Sequence, residues 1–332
     1  MSIQEEGSAI PVLLTHHSPP RWCHMKRLAL PLLAIPVFTV LALTAGETEA
    51  QTAGSTNGWL PSQPLFQGPL ADPLEPGLRG ALVYSDLLEP ENFGQERPAD
   101  FLDAFASMKR EAQALVNLGG GLPLWQWGMA ASGAIQVGIQ AGVTARFRMS
   151  VPTNDLVATD WVAALPVEAR WGEWSGRMRF LHRSAHLGDE FLRATQALRV
   201  GFAHESVQFL AAWEGLAPVR LYGGGTWVAR SETDNWMRRQ GHPISDKGEV
   251  QLGFELRPTP ENPGPDYVFS LDWQAHGRTR WANQWTGAAG LTLPTGDRSV
   301  TVLARGALGR SPMGQFFLTR ESSFGLEFVL VQ

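Results

Sequence analysis

The chain is nearly without cysteine, poor in lysine, and has no second long apolar run. Each shortage narrows what it can be. Cys23 is the only cysteine among 332 residues. It lies ahead of the segment read below as cleaved, so the mature chain has no disulfide, no thiol nucleophile and no cysteine-type metal site. Lysine is limited to Lys26, Lys109 and Lys247, and the other basic residues are arginine. Setting aside the first 50 residues leaves 24 basic and 28 acidic side chains, a net charge of −4. That balance excludes nucleic acid as the main partner. After Ala50 no apolar run is long enough to cross a bilayer as a helix.

What is present begins at Met25, with MKRLALPLLAIPVFTVLALTAGETEA. Lys26 and Arg27 precede an apolar run from Leu28 to Ala45, and Thr48-Glu49-Ala50 follows with small residues where a signal peptidase reads. This predicts a secretory signal peptide over 25–50. The run is near the lower limit of about 17–25 residues for a spanning helix, but Pro31, Pro36 and the small-residue exit favour cleavage. Residues 1–24 have no place ahead of such a signal, so they are expected to be an over-called start or disordered. Residues 51–78 are expected to form an extended N-terminal segment, and 79–332 a β-barrel domain.

The mature chain alternates. In GAIQVGIQAGVTARFRM (133–149), Ile135, Val137, Ile139, Val143 and Phe147 share one parity, while Gln136, Gln140, Thr144, Arg146 and Arg148 share the other. Period two over this length is a strand with one apolar and one polar face. WVAALPVEARW (161–171) and WSGRMRFLHR (174–183) form a hairpin across Gly172-Glu173, with glycine first as a type II′ turn prefers. Counting outward sets Trp171 against Trp174 and Glu168 against Arg177. The pattern continues in ALRVGFA (197–203), VQFLAAW (207–213), VRLYGGGTWVA (219–229) and five further segments to the C-terminus; 81–85 and 114–120 are additional candidates. An amphipathic helix is expected over 98–113.

About twelve antiparallel strands predict an outer-membrane-type β-barrel. The strands are long enough to cross a bilayer tilted, their polar faces suit a wet lumen, and tryptophan gathers at strand ends. A closed sheet is what hydrocarbon demands, because it leaves no backbone amide unpaired. The rival is a soluble periplasmic β-sandwich whose apolar rows meet each other. A barrel of this size lies between filled eight-stranded barrels and open sixteen-stranded porins, so a narrow or plugged lumen is expected. Arg146, Arg148, Arg170, Arg177, Arg179 and Glu168 are expected to face that lumen. Counting back from a periplasmic C-terminus puts the Gly172-Glu173 turn on the outer side, where longer loops belong, so either the strand count is off by one or the loops are atypical, and the side that residues 182–191 face stays open.

Four landmarks stand in order: ADPLEP (71–76), HRSAHLGDEF (182–191), LYGGG (221–225) and SPMGQFF (311–317). Together they resemble the bacterial envelope proteins catalogued as domain of unknown function 1207, over roughly residues 59–332. The resemblance implies an uncharacterised outer-membrane barrel and transfers no catalytic residue.

HRSAHLGDEF carries the only candidate chemistry. On a strand, His182 and His186 stand about 13 Å apart, too far to share a metal. A hydrolytic site would use His182, Ser184, His186 and Glu190 on the lipid side. A serine and a histidine two or four apart on a strand are out of hydrogen-bond reach unless a turn folds them back. The plainest reading is a polar cluster bracing a barrel rim. The expectation is therefore an outer-membrane barrel with a structural or narrow-pore role, and an envelope-lipid hydrolase as the alternative. Its expected partners are outer-membrane lipid and, during biogenesis, the barrel-assembly machinery. No cofactor and no metal are expected.

Overall fold

The computed structural model describes residues 57–86, 110–129, 133–149, 154–195, 199–239, 241, 243–244, 246–257, 266–295 and 298–331. The segments 1–24 and 25–50 lie outside these residues. So do 98–109 of the expected helix, whose last four residues, 110–113, instead open a strand.

Among the described residues there are thirteen strands: β1 (Gly58–Trp59), β2 (Leu78–Asp86), β3 (Arg110–Gly128), β4 (Ala134–Arg148), β5 (Leu156–Trp171), β6 (Trp174–Leu187) and β7 (Phe202–Leu216). They continue as β8 (Val219–Ser231), β9 (Gly248–Leu256), β10 (Asp266–His276), β11 (Ala282–Thr295), β12 (Arg298–Arg310) and β13 (Arg320–Val331). From β2 to β13 each strand pairs antiparallel with the next, and β13 pairs back onto β2 through Leu326↔Leu82. The sheet closes into a twelve-stranded up-and-down barrel, as the alternation predicts. The short β1 adds two further pairs to β3, including Trp59↔Trp125.

The apolar rows point outward. Leu82, Phe324, Leu326 and Phe328 are more than half exposed, while Ala81, Val83 and Glu327 between them are buried. Among the described residues no second sheet covers these rows, and the single closed sheet removes the sandwich. The hairpin register is the one counted from the sequence, Trp171↔Trp174 and Glu168↔Arg177. Gly172 turns at φ +55°. In LYGGG, a Cβ on Gly224 would stand 1.9 Å from the Phe209 carbonyl oxygen, so the strand packs too closely for a side chain. Gly224→Ala is expected to destabilise the barrel by about 1–3 kcal/mol, read as a lower temperature of heat-modifiable gel mobility.

The two rims differ. One carries two-residue connections at 172–173, 217–218 and 296–297 and longer ones at 129–133 and 257–265, together with the C-terminal end of β13. The other carries longer loops: 188–201 with helix α1 (Asp189–Thr195), 232–247 with α2 (Glu232–Arg239), and 311–319 with a 3-10 turn (Gly314–Phe316). The Gly172-Glu173 turn therefore belongs with the short turns, correcting the strand count. Phe202-Ala203, the end of ALRVGFA, and the whole of VQFLAAW lie in one strand, β7, joined by the polar run His204-Glu205-Ser206. Exposed tryptophans mark both rims, with Trp59, Trp127, Trp171 and Trp174 at the short-turn end and Trp161, Trp227, Trp281 and Trp285 at the other.

The lumen is filled. Residues 61–77 enter from the short-turn rim and are held by inward side chains of many strands. Gln136 and Glu168 accept from the backbone N–H groups of Leu65 and Phe66, and Glu255 from that of Leu70. Arg220 and Arg257 donate to the carbonyls of Gln67 and Gly68. At the far end the loop 311–319 folds inward. Gly314 N–H donates to Asp160 at 2.9 Å, and Gln315 donates to the Ala185 carbonyl at 2.6 Å. Leu74, at the tip of the inserted segment, packs against Val157, Leu187, Met313 and Phe316. ADPLEP, the inward half of HRSAHLGDEF and SPMGQFF thus meet inside the barrel. The space left beside Pro73, Arg146 and Glu321 is a cavity of about 30 Å³, room for a water or two.

Candidate functional site

The barrel offers two places for function, its interior and its wall. Inside, the arginines are ion-paired. Arg146 meets Glu321 at 2.5 Å, Arg148 meets Asp155 at 2.9 Å, and Arg170 meets Glu214 at 2.9 Å. Arg177 and Arg179 both meet Glu75 of the inserted segment, at 2.6 and 3.1 Å. Glu168 stands opposite Arg177 in register, yet its carboxylate accepts from the Phe66 N–H at 3.1 Å. The opposing pair read from the sequence is in this way split between partners on the plug. Burial by itself would raise the Glu75 carboxyl, but Arg177 and Arg179 beside it outweigh that and hold it well below the usual carboxylate range.

A carboxyl depressed in the folded state contributes stability that is fully present above its unfolded value and lost as protons are forced on. The resistance of the barrel to heat is therefore expected to fall as pH drops below about 4.5, the ordinary glutamate value. Glu75→Gln should flatten that slope, measured as the unfolding temperature at pH 7, 4 and 3.

Outside, the wall changes character between two adjacent rows. Leu165, Phe180, Val207 and Trp227 lie side by side across β5–β8, an entirely apolar row. The next row towards the long-loop rim is Ala163, His182, Glu205 and Arg230. His182 Nδ1 stands 3.3 Å from Glu205 Oε1, both side chains about half exposed. With a carboxylate as partner, Nδ1 is the donor, which leaves Nε2 free to accept a proton. Ser184 is two residues further along β6, on the same outward face, beside Trp161.

Depth follows from strand geometry. Ten residues separate Ser184 from Trp174 at the opposite rim, about 33 Å along the strand and about 25 Å along the axis at a tilt of about 40°. That equals the height of the apolar band of a membrane barrel, so Ser184 and His182 stand at the edge of a band of that height measured from Trp174.

The four residues read from the decapeptide are not brought together. β6 runs on to Leu187, so no turn folds Ser184 back, and no hydrogen bond joins it to His182 among the described residues. His186 is exposed on the same face, two residues beyond Ser184. Glu190 lies exposed in the first turn of α1, and neither imidazole meets it. The acid beside His182 is Glu205, which the sequence reading left between two strand segments. Carrying the β7 alternation through His204-Glu205-Ser206 would have placed it outward, opposite His182.

No curated protein matches the chain significantly by sequence. Solved structures with a similar fold include outer membrane phospholipase A from Escherichia coli, at 15% identity and TM-score 0.46, covering 80% of this chain and 93% of that one. The outer membrane phospholipase of Salmonella typhi is similar at 13% identity and TM-score 0.46, covering 77% and 91%. OccK11 of Pseudomonas aeruginosa follows at 10% identity and TM-score 0.29, covering 80% and 99%. Such identities speak to the fold alone. By sequence, one family model matches residues 102–329, most of the barrel. This chain belongs to the family described as Protein of unknown function (DUF1207).

Proposed function

We propose that the chain resides in a bacterial outer membrane as a closed, non-conducting barrel and hydrolyses acyl esters of envelope lipid on its outer wall. The single observation that carries the activity is the His182–Glu205 contact with Ser184 beside it, at the acyl–headgroup boundary. In this reading Ser184 Oγ attacks the ester carbonyl while His182 Nε2 takes its proton and passes it to the departing alcohol oxygen. The acyl-serine is then cleaved by water, with His182 again the base, releasing fatty acid and restoring Ser184. Glu205 orients the imidazole and stabilises its protonated form.

Residues two apart on a strand are separated by about 6.6 Å at Cα. That gap is short enough for side-chain rotation alone to close it without the turn expected from the sequence, so in this reading the serine and imidazole turn towards each other when an ester is seated, as contacts in unliganded sites commonly tighten on binding. The long-loop rim, which carries this row, faces outward in the proposed orientation, and the short-turn rim with the C-terminus faces the periplasm.

The filled lumen favours a second reading, a purely structural barrel, in which His182 and Glu205 are only a surface pair. Fatty-acid release from mixed detergent–lipid micelles by the purified, heat-modifiable barrel separates the two. Release that requires Ser184 supports the hydrolase, and its absence in the wild type leaves the structural role.

A further inference from the structure

The charged row has a third member that the proposed reaction does not use. Arg230 is the register partner of Glu205 on β8, and its side chain is 75% exposed. Its ion pair is a long one, 4.0 Å to the exposed Glu232, so its guanidinium keeps donors for another acceptor. An arginine immersed in the acyl region would be costly, but one residue row beyond Trp227 it reaches the headgroup layer.

We infer that Arg230 binds the phosphate of the lipid being cleaved, so that phosphate-bearing acyl lipids are cleaved in preference to neutral glycerides. This rests on the hydrolase reading of Ser184, His182 and Glu205. The geometry is that of a two-point grip. Arg230 and His182 are two strands apart, about 10 Å between their backbones, and the arginine side chain spans much of that gap. In a glycerophospholipid the phosphate and the acyl ester sit on one three-carbon backbone. A phosphate held at Arg230 therefore places an ester over β6, where Ser184 stands. A planar guanidinium matches two phosphate oxygens in a fork that the single hydroxyl of a diacylglycerol cannot fill. Glu205, between the two, is engaged with His182 and leaves the arginine to the lipid. Glu232 is the competing acceptor, and its length of contact makes it easy to displace.

The test compares phosphatidylethanolamine with diacylglycerol of the same chains, in the same detergent micelles. The wild type should cleave the phospholipid in preference. Arg230→Gln should raise KM for phosphatidylethanolamine about tenfold, the scale of one exposed charge-assisted contact, and leave diacylglycerol cleavage unchanged. Arg230→Lys should fall between. Equal wild-type rates on both lipids, or an Arg230→Gln effect that is nil or the same on both, overturns the assignment of Arg230 while the hydrolase stands. A wild type that cleaves neither lipid sinks the hydrolase, and Arg230 with it.

Discussion

Ser184→Ala is expected to reduce fatty-acid release by at least about a thousandfold while leaving the barrel folded. Removing the nucleophile of a serine hydrolase takes away the covalent route entirely, and losses of about 10⁶ in kcat are known for such sites. The lower figure allows for a site without a hydrogen bond between serine and base before substrate arrives. His182→Ala should cost about as much, since the two act as one unit and their effects do not add. Glu205→Gln should cost less, because it leaves the imidazole in place and removes only its charged orienter. None of the three side chains packs into the interior, so stability should move by no more than about 0.5 kcal/mol. Unchanged heat-modifiable mobility checks this. Lipid release that persists in Ser184→Ala ends the proposal.

The second large effect concerns the lumen. The wild-type barrel should show no conductance steps in a planar bilayer, because residues 61–77 and the loop 311–319 occupy its interior from opposite ends. Deleting 61–76 removes the segment that binds Arg177, Arg179, Arg220 and Arg257. With the loop 311–319 still folded in at the far end, the deletion should leave a narrow, basic passage that conducts weakly and with a preference for anions. A milder variant guards against misfolding. Glu75→Ala keeps the segment but strands two buried guanidinium groups without their carboxylate, at a cost of about 3–5 kcal/mol. It should lower the unfolding temperature and produce brief openings. Steady conductance by the wild type would contradict a lumen filled in the membrane.

The wall of this protein was readable from sequence because lipid and lumen impose strict alternation. The hairpin at Gly172 could be counted residue by residue, since Trp171 and Trp174 and then Glu168 and Arg177 agree in character across it. The interior was not readable in the same way. Alternation assigns Arg177 and Arg179 to the polar face, but nothing in it says that their partner is Glu75, about a hundred residues earlier. ADPLEP has no period, so its insertion left no pattern.

The site suffered from a different cause. Glu205 is a charged residue on the outward side of a strand, flanked by the buried His204 and Ser206. Three polar residues in a row look like a turn unless the strand is already known to continue. The error that split β7 in two also reversed the expected side of the Gly172 turn and hid the acid beside His182.

One consequence of the seam remains. The ring is completed only where the first long strand, β2, meets the last, β13, and the inserted segment immediately precedes β2. A chain made from its amino end onward has residues 61–77 before any wall exists to surround them. Threading them into a finished cylinder would mean forcing Phe66 and Glu75 past the arginines that grip them. The cheaper order is for the strands to wrap around a segment already in place, with the β2–β13 zip as the final event. The core of this cylinder is thus its mandrel, laid down first and enclosed by what comes after.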